Sequence, residues 1–379
     1  MPVQTIHPKG SPSAQVWVVV NDPYPQDADK GYLFSAGYGY TYDKMLSAAG
    51  LSNVYICCRR PDVGDKNSYR ILENDLNHYK PPIIIALEEA GKWLCPELQK
   101  RVTKAKGQTE AEYESEIEKY SGSLLTSGLL NYPHFVVPSF APDTVVKNWK
   151  LRDIVVSLEL GKVRSELDYF NTHQRTLEPL PSYTFETDFD GPDGFAKLMY
   201  ILESFKSSKL LSNDIETVYP KKGDKQTRSE FYGKTPGYPI LVGLANNSRS
   251  AISFELFRQD LNETVALWRS LDWLLRNVQQ LGQNIINFDE SYYEMLGFEL
   301  GMPPIDTLIR HHVLWPELKH KLAFLTKQYT RQPYYKGMGA NWRPTKLQEY
   351  KHYNCLDCAV TYKVYEEQEL EFNDRPYLR

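Results

Sequence analysis

Strand-like and helix-like patterns alternate along the first part of the chain. Continuous runs of branched and aromatic residues predict four buried strands, at Val16–Val20, Val54–Cys58, Pro82–Ala86 and His134–Val137. Helical patterns lie between these runs, at Tyr42–Ala49 and Glu88–Leu94. Strands that alternate with helices favour a parallel sheet with helices on both faces. We therefore predict an α/β domain over residues 12–170, preceded by a loose tail at residues 1–11.

The pattern changes after this domain. Residues 171–193 are rich in Pro, Thr, Asp and Gly and predict a linker. Three strand patterns then predict an antiparallel meander within a mixed sheet, at Lys209–Val218, Tyr238–Asn246 and Ala251–Leu256. The basic segment Lys221–Arg228 predicts a solvated hairpin turn, with contact to phosphates as the alternative. These patterns define a second domain over residues 194–379.

The remaining elements of the second domain are mostly helical. An amphipathic helix is predicted over Leu261–Leu281. The segment Gly282–Asp289 then predicts a short strand that ends at an acid, followed by a helix over Glu290–Leu300. Asp306 has the position of an N-cap residue. A last long helix is predicted over Tyr350–Glu369.

Composition narrows the class of protein. The chain has 379 residues, and no apolar run approaches the ~20 residues that span a bilayer, so no membrane association is expected. The formal charge of −4 argues against binding nucleic acid by bulk charge, but permits a small site that admits one strand end. Five cysteines without a disulfide-scaffold spacing favour a reducing cytoplasm. Cys355 and Cys358 lack the second pair that a zinc site needs, which predicts core thiols.

Candidate chemistry begins with two acids. Asp214 and Glu216 are two residues apart in a predicted strand, so their carboxylates lie on one face. Adjacent carboxylates repel unless a cation lies between them, and oxygen ligands suit Mg²⁺ or Mn²⁺. An exposed strand with two solvated acids is the alternative. Further along, Tyr353 and Asp357 are four residues apart and share one face of the last helix.

Three motifs together resemble a known family. They are the Asp-x-Glu of Asp214, the Asn-x-x-x-Phe-Asp that ends at Asp289 and the Tyr-x-x-x-Asp that ends at Asp357. In this order they resemble the four-carboxylate 3′–5′ exonucleases of the ribonuclease-H-like fold. The likeness is strongest to the proofreading domains of family A DNA polymerases, notably from phages.

The resemblance implies a set of roles. Two divalent ions, Mg²⁺ or Mn²⁺, are expected on four acids: Asp214, Glu216, Asp289 and Asp357. Tyr353 is expected to orient the attacking water, and Asn284 and Phe288 to lie beside the terminal nucleotide. A sibling branch uses His-x-x-x-x-Asp, which His352 also fits. We favour Tyr353, because its four-residue spacing stacks it on Asp357, and one residue of rotation, about 100°, separates the two candidates.

The first domain resembles the uracil-DNA glycosylase superfamily over residues 14–168. The matching segments are Val20–Pro23, Gly31–Phe34, Val54–Cys58 and Ala141–Asp143. Three of the positions that carry chemistry in that family have changed, and hold Asn21, Cys58 and Ala141. Only Phe34, which stacks on the extruded base in that family, is kept. Base excision needs groups that activate water and stabilise the leaving anion, so we expect a glycosylase-like domain without activity, used for DNA contact or docking.

The sequence therefore predicts a cytoplasmic 3′–5′ exodeoxyribonuclease of mixed α/β architecture. Its expected substrate is the 3′ end of single-stranded DNA, and its expected partner is a DNA polymerase portion or subunit. An RNA-trimming exonuclease of the same fold is an alternative, since the site must sense the 2′-hydroxyl to tell the two apart. A non-catalytic DNA-binding or docking subunit is a second alternative, although the four acids argue against it.

Overall fold

The computed structural model describes residues 6–59, 65–101, 113–115, 117–217, 239–341, 346–375 and 377. The chain divides into two compact units, each with its own sheet. The first contains residues 1–180 and 331–334, and the second contains residues 181–330 and 335–379. The predicted turn at Lys221–Arg228 lies outside the described residues.

The first unit is built on a parallel sheet. The strands of this unit are β1 Val16–Val20, β2 Val54–Cys58, β3 Ile83–Leu87, β4 Gln99–Arg101, β5 Tyr113–Ser115 and β6 Phe135–Ser139. Four of them form the parallel sheet in the order β2-β1-β3-β6, while β4 and β5 form a separate antiparallel pair. Strands β1, β3 and β6 are buried along their whole length, as the continuous apolar runs predict.

Helices connect these strands. They are α1 Gly37–Ala48, α2 Asp65–Tyr79, α3 Glu89–Leu94, α4 Ile117–Tyr120, α5 Pro142–Lys147, α6 Trp149–Ile154 and α7 Gly161–Thr172, with a π-helical stretch over Val155–Leu160 before α7. One hydrophobic core joins the strands to the helices, with Trp17, Tyr42 and Leu46 among its fully buried side chains. The predicted α/β arrangement of this unit is confirmed.

A segment from late in the chain completes the first unit. Arg331 donates from Nε and Nη2 to the two oxygens of Glu166, at 2.6 and 2.8 Å. The same guanidinium also donates to the backbone carbonyls of Glu178 and Pro179. Glu166 is 3% exposed, and the charge of this buried acid is neutralised by Arg331, which follows it by 165 residues.

The second unit is built on a mixed sheet. Its strands are β7 Thr184–Glu186, β8 Leu210–Thr217, β9 Pro239–Ala245, β10 Ser250–Glu255, β11 Gln279–Gly282 and β12 Ile305–Asp306. Their order is β12-β11-β8-β9-β10-β7. Strands β8, β9 and β10 form the predicted antiparallel meander, while β11 runs parallel to β8 and β12 parallel to β11. The predicted fold class, α/β with a parallel sheet in the first unit and a mixed sheet in the second, is confirmed.

The helices of the second unit are α8 Gly191–Phe205, α9 Leu261–Asn277, α10 Asp289–Met295, α11 Thr307–Leu314, α12 Leu322–Tyr329 and α13 Leu347–Asp374. None of the described helices is both long enough and apolar enough to cross a membrane. The stretch 171–193, which we expect to be a linker, contains β7, because this strand pairs in parallel with β10 and extends the sheet by one strand.

Two predicted elements of the second unit are wrong. The helix predicted to reach Leu281 ends at Asn277, because Gln279–Gly282 pairs with β8 as strand β11. The strand predicted over Gly282–Asp289 is instead a turn in which Asn284 has a left-handed φ of 62°. Helix α10 ends at Met295 rather than at residue 300, and Gly297, with a φ of 86°, supplies the left-handed residue that typically follows a helix.

Helix α13 lies close against the central strands of this sheet. Cys355 and Cys358 are buried thiols in a cluster with Ala245 and Ala251, so they are core residues as predicted. Gly243 of β9 permits this approach. A Cβ at Gly243 would lie 2.5 Å from the side-chain oxygen of Asn354 and 2.7 Å from the sulfur of Cys358. The helix therefore presents one face directly to the acids of β8.

Candidate metal and active site

Strand β8 supplies the first two acids. Asp214 and Glu216 are two residues apart in the strand, so their carboxylates lie on the same face as predicted. Their partners on β9 are Gly243 and Leu241. Because β8 is a central strand, with neighbours on both sides, its backbone holds the two acids in a fixed register.

Helix α13 contributes a stripe of residues that faces these acids. Asn354 donates from its amide to Asp214, at 2.8 Å to Oδ2 and 3.1 Å to the backbone oxygen. The amide oxygen of Asn354 accepts from the hydroxyl of Ser253 at 2.7 Å. Tyr350 donates from its hydroxyl to Glu216 Oε2 at 2.5 Å. Each acid of β8 is thus oriented by one polar side chain of α13.

The third acid of the cluster is Asp357, one turn beyond Asn354 on the same helix. Oxygen atoms of Asp214, Glu216 and Asp357 all lie within 4.8 Å of one another. Asp357 is 3% exposed, and its Oδ1 accepts from the hydroxyl of Tyr335 at 2.6 Å. Three carboxylates gathered this closely form an all-oxygen donor set, which fits Mg²⁺ or Mn²⁺ rather than a softer metal.

Asp289 lies next to the cluster but outside the group of three. It is the first residue of α10 and is 3% exposed. Its Oδ1 accepts from the backbone N–H of Ile215, which lies between the two acids of β8, at 2.9 Å. A carboxylate at the start of a helix is stabilised by the helix dipole. The structure therefore brings all four predicted acids to one side of β8, with three of them in mutual contact range.

Mutual repulsion changes the protonation of these acids. Burial, and then the charge of Asp357, raise the pKa of Asp214 to about 7. Burial and the two neighbouring aspartates raise the pKa of Glu216 well above its usual value, and burial with Asp214 does the same for Asp289. The ammonium of Lys336 opposes the pKa rise at Asp214 and Glu216. Carboxyl groups that repel one another in this way are stabilised by an added cation.

The two candidates for the water-positioning residue lie in different places. The hydroxyl of Tyr353 accepts from Lys336 at 3.0 Å, and its ring stacks on that of Tyr350, with centroids 6.0 Å apart. Burial, and then the charge of Asp357, raise the pKa of Tyr353 above its ordinary value, so its hydroxyl stays protonated. His352 is exposed and packs its ring against Phe185. Tyr353 therefore faces the acids and His352 faces away from them.

The predicted nucleotide-contacting residues lie in the turn before Asp289. Asn284 is half-buried, and its backbone N–H donates to Asp306 Oδ1 at 2.9 Å. The same oxygen accepts from Leu308, so Asp306 is the N-cap of α11 as predicted and also fixes this turn. Phe288 is half-buried against Tyr292. Both predicted residues thus occupy one turn that leads directly into the fourth acid.

Sequence reasoning did not identify four residues that contact the acids of the candidate site, namely Tyr335, Lys336, Tyr350 and Asn354. Tyr350 and Asn354 fall on the same helical face as Asp357, so their 3.6-residue periodicity was a signal that could have found them. Tyr335 precedes, and Lys336 begins, a short 3₁₀-helix at Lys336–Asn341 that starts more than 20 residues before Asp357, and no local pattern predicts that they contact it.

The first unit shows a different outcome at the positions of the glycosylase resemblance. Phe34 is fully buried, with a left-handed φ of 55°, and its ring packs against Tyr24 and Tyr42. Asn21 follows β1, and its amide oxygen accepts from the hydroxyl of Tyr69 at 2.7 Å. Cys58 ends β2. In this arrangement the ring of Phe34 presents no open face on which a base can stack.

No family model and no curated protein matches this chain. Among solved structures, the Nibbler EXO domain from Aedes aegypti is similar, with 14% identity and a TM-score of 0.39 over 53% of this chain and 96% of that chain. Escherichia coli RNase D, an exoribonuclease involved in structured RNA processing, has 18% identity and a TM-score of 0.36 over 52% of this chain and 49% of that chain. The POL domain of Pol1 from M. smegmatis, in complex with DNA primer-template and dNTP, has 10% identity and a TM-score of 0.35 over 48% of this chain and 27% of that chain. Similarity at this level does not decide the activity, which has to be inferred from the residues of the site.

Proposed function

We propose that the second unit is a metal-dependent exonuclease that removes nucleotides from the 3′ end of single-stranded DNA. The convergence of Asp214, Glu216 and Asp357 carries this proposal, because carboxylates from a strand and a distant helix are held within 4.8 Å despite their repulsion. Such a cluster has a stability cost that a cation-binding role explains.

Each side chain then has a distinct task. The acids of the cluster and Asp289 hold the cations, and Asn354 and Tyr350 fix the direction of the two carboxylates on β8. Two divalent ions held there supply activation of the attacking water and stabilisation of the leaving 3′-oxygen. Tyr353 keeps its proton, so it orients the water by hydrogen bonding rather than by taking a proton from it.

Digestion of a 5′-labelled single strand with Mg²⁺ tests the proposal. The wild-type protein is expected to shorten the labelled strand one nucleotide at a time from its 3′ end. Asp214→Asn, which keeps the shape of the side chain, is expected to lower the rate by at least ~100-fold, since even groups that only orient metal ligands are worth 10- to 100-fold. Asp272→Asn removes an exposed acid that pairs with Arg276 on α9 and serves as the matched control. Equal rates for both variants would refute the proposal.

The choice of DNA follows from the sequence resemblance to proofreading domains. We propose that the unit works with a DNA polymerase portion or subunit and removes mispaired 3′ ends. A primer with an unpaired 3′ terminus on a DNA template should then be shortened faster than a fully paired one, because an unpaired end reaches the site more easily. An RNA-trimming enzyme of the same fold would instead prefer an RNA strand of the same sequence in direct competition.

We propose that the first unit has no glycosylase activity and serves in DNA contact or docking. The residues at the three altered positions, Asn21, Cys58 and Ala141, lack the groups that activate water and stabilise a leaving uracil anion. Release of uracil from a single-stranded substrate by the whole chain would overturn this part of the proposal. Failure of the wild-type chain to bind Mn²⁺ would favour the non-catalytic alternative for the second unit.

A further inference from the structure

Within the part of the chain that the structure describes, one ammonium group lies against the acidic cluster. Lys336 Nζ is 2.5 Å from Asp357 Oδ2 and 3.0 Å from the hydroxyl of Tyr353. The side chain of Asp357 is 4% exposed and that of Lys336 is 21% exposed. Without the ammonium, the nearly buried carboxylate of Asp357 would lose its counter-charge. Lys336 therefore provides the positive charge for one corner of the cluster.

The ammonium of Lys336 pairs with a carboxylate, that of Asp357, which a divalent ion in the cluster would also bind. Asp357 contributes an oxygen to the group in which all three carboxylates lie within 4.8 Å. The charge of Lys336 also acts on Asp214 and Glu216, since it opposes the rise in the pKa of both. A divalent ion in this group and the ammonium would thus be close neighbours. Two cations a few ångströms apart in a protein interior repel strongly, so they cannot share Asp357 at full strength.

The two contacts of Asp357 respond differently to an incoming cation. Its Oδ1 accepts from the neutral hydroxyl of Tyr335, and each carboxylate oxygen has a second lone pair, so this contact can stay. The contact of Oδ2 with Lys336 joins a full positive charge to the same carboxylate. Lysine carries its charge on a flexible four-carbon stem, and the partly exposed side chain of Lys336 has access to solvent.

We propose that Lys336 competes with a divalent ion for Asp357, and thereby sets the metal concentration at which the acidic cluster fills. The ammonium pairs with the carboxylate until the ion displaces it. This inference rests on the proposed function, because it takes the cluster of Asp214, Glu216 and Asp357 to be a site for divalent cations.

Direct measurement of Mn²⁺ affinity tests the competition. The full chain is freed of metal with a chelator and titrated with Mn²⁺, and the free ion is followed by its electron paramagnetic resonance signal. Lys336→Met, which keeps the length of the side chain and removes its charge, is expected to lower the Kd for Mn²⁺ by about tenfold, a typical size for coupling between two ligands. Lys336→Arg keeps the charge and is expected to keep the weaker affinity of the wild type.

The control is a lysine of the same unit that pairs with other acids. Lys363 lies 2.6 Å from Glu367 on α13, and Lys363→Met is expected to leave the Kd for Mn²⁺ unchanged. If the wild type binds Mn²⁺ and Lys336→Met binds it no more tightly, the competition is refuted while the proposed nuclease function stands. If the wild type binds no Mn²⁺ at all, both the competition and the metal-dependent function are refuted.

A second measurement uses the wild-type chain, so it does not depend on whether a variant folds. Reductive methylation with mass-spectrometric readout reports how freely each lysine ammonium reacts. Lys336 is expected to be methylated faster with Mg²⁺ than with chelator, because the displaced ammonium leaves Asp357 for solvent, whereas Lys363 keeps its rate. A rate for Lys336 that is unchanged or lower in Mg²⁺ would overturn the inference.

Discussion

The two units differ in how they accommodate acidic side chains near the end of a central strand. In the first unit each acid is paired with a hydrogen-bond donor, whereas in the second unit several acids lie together. Beyond β1 in the first unit, Asp22 accepts two hydrogen bonds from the guanidinium of Arg59, at 2.8 and 3.0 Å. Beyond β3, Glu88 accepts from the backbone N–H of Ala141 at 3.3 Å. In this unit each of these charges has a hydrogen-bond partner of its own.

In the second unit, the acids of β8 lie close to another acid, from α13. Oxygen atoms of Asp214, Glu216 and Asp357 gather within 4.8 Å of one another, and among the described residues the ammonium of Lys336 contacts this cluster at Asp357. A fold tolerates such a cost chiefly where function requires it. The comparison teaches that clustered charge of one sign marks a functional site better than the number of polar residues does.

The largest expected difference between the two regions is in catalysis. Asp357→Asn should lower the rate of 3′-end digestion by at least ~100-fold, because it removes a charge from the proposed cation-binding cluster. Asp22→Asn removes an acid of the first unit whose partner is Arg59, and should change the rate less than about twofold, as is typical away from a site. Rates are measured on a labelled single strand in single-turnover conditions. A similar loss in both variants would remove the distinction between the two regions.

A smaller effect separates two neighbours on α13. Tyr353→Phe should slow the chemical step by about 10- to 100-fold, in the range of groups that orient a metal site, because it removes the hydroxyl that we propose orients the attacking water. His352→Ala should leave the rate near that of the wild type, since this side chain is exposed and faces Phe185. Single-turnover digestion measures both variants. A large loss confined to His352→Ala would reverse the assignment.

The third expected effect is a loss of stability when the packing of α13 against the sheet is disturbed. Gly243→Ala places a methyl group 2.5 Å from the side-chain oxygen of Asn354, so it should destabilise the protein by about 1–3 kcal/mol, the usual cost of overpacking. Gly128 of the first unit has no atom within 4 Å of the corresponding position, and Gly128→Ala should be close to neutral. Chemical denaturation gives both free energies of unfolding. Equal values would show that α13 does not approach β9 this closely.

The smallest expected effect is a dependence of stability on pH. The pKa of Asp214 is raised from 3.8 to about 7 in the folded protein. Between these two pH values the folded state holds a proton that the unfolded state has released. The resulting stabilisation is complete below about pH 4 and is lost as pH rises through 7. In chelator, Tm should therefore fall by at least about 2 °C between pH 5 and pH 8.

Two controls sharpen this pH measurement. Added Mg²⁺ should reduce the fall in Tm, because it binds the ionised carboxylates. Asp214→Asn should lessen the fall in chelator, because the amide cannot titrate, while Glu216 and Asp289 still can. A Tm that rises with pH in chelator would contradict the raised pKa of this aspartate.

The sequence predicts the parts of the site that depend on local spacing. A spacing of two residues between acids on a strand, and of four residues on a helix, singled out Asp214, Glu216, Tyr353 and Asp357 as candidates. Sequence reasoning failed at Gln279–Gly282, where a helical pattern continues and only pairing with β8 decides for a strand. It also missed Lys336, whose contact with Asp357 depends on how the short 3₁₀-helix that it begins packs against α13.

The pairing of Glu166 with Arg331 has a practical consequence for dividing the molecule. A recombinant fragment that stops at residue 180 would keep an acid that is 3% exposed and lose the guanidinium that binds both of its oxygens. Removing one member of a buried pair costs about 3–5 kcal/mol, a large share of the stability of a domain. A fragment of the first unit that folds independently should therefore include residues 331–334, joined to residue 180 by an artificial connector.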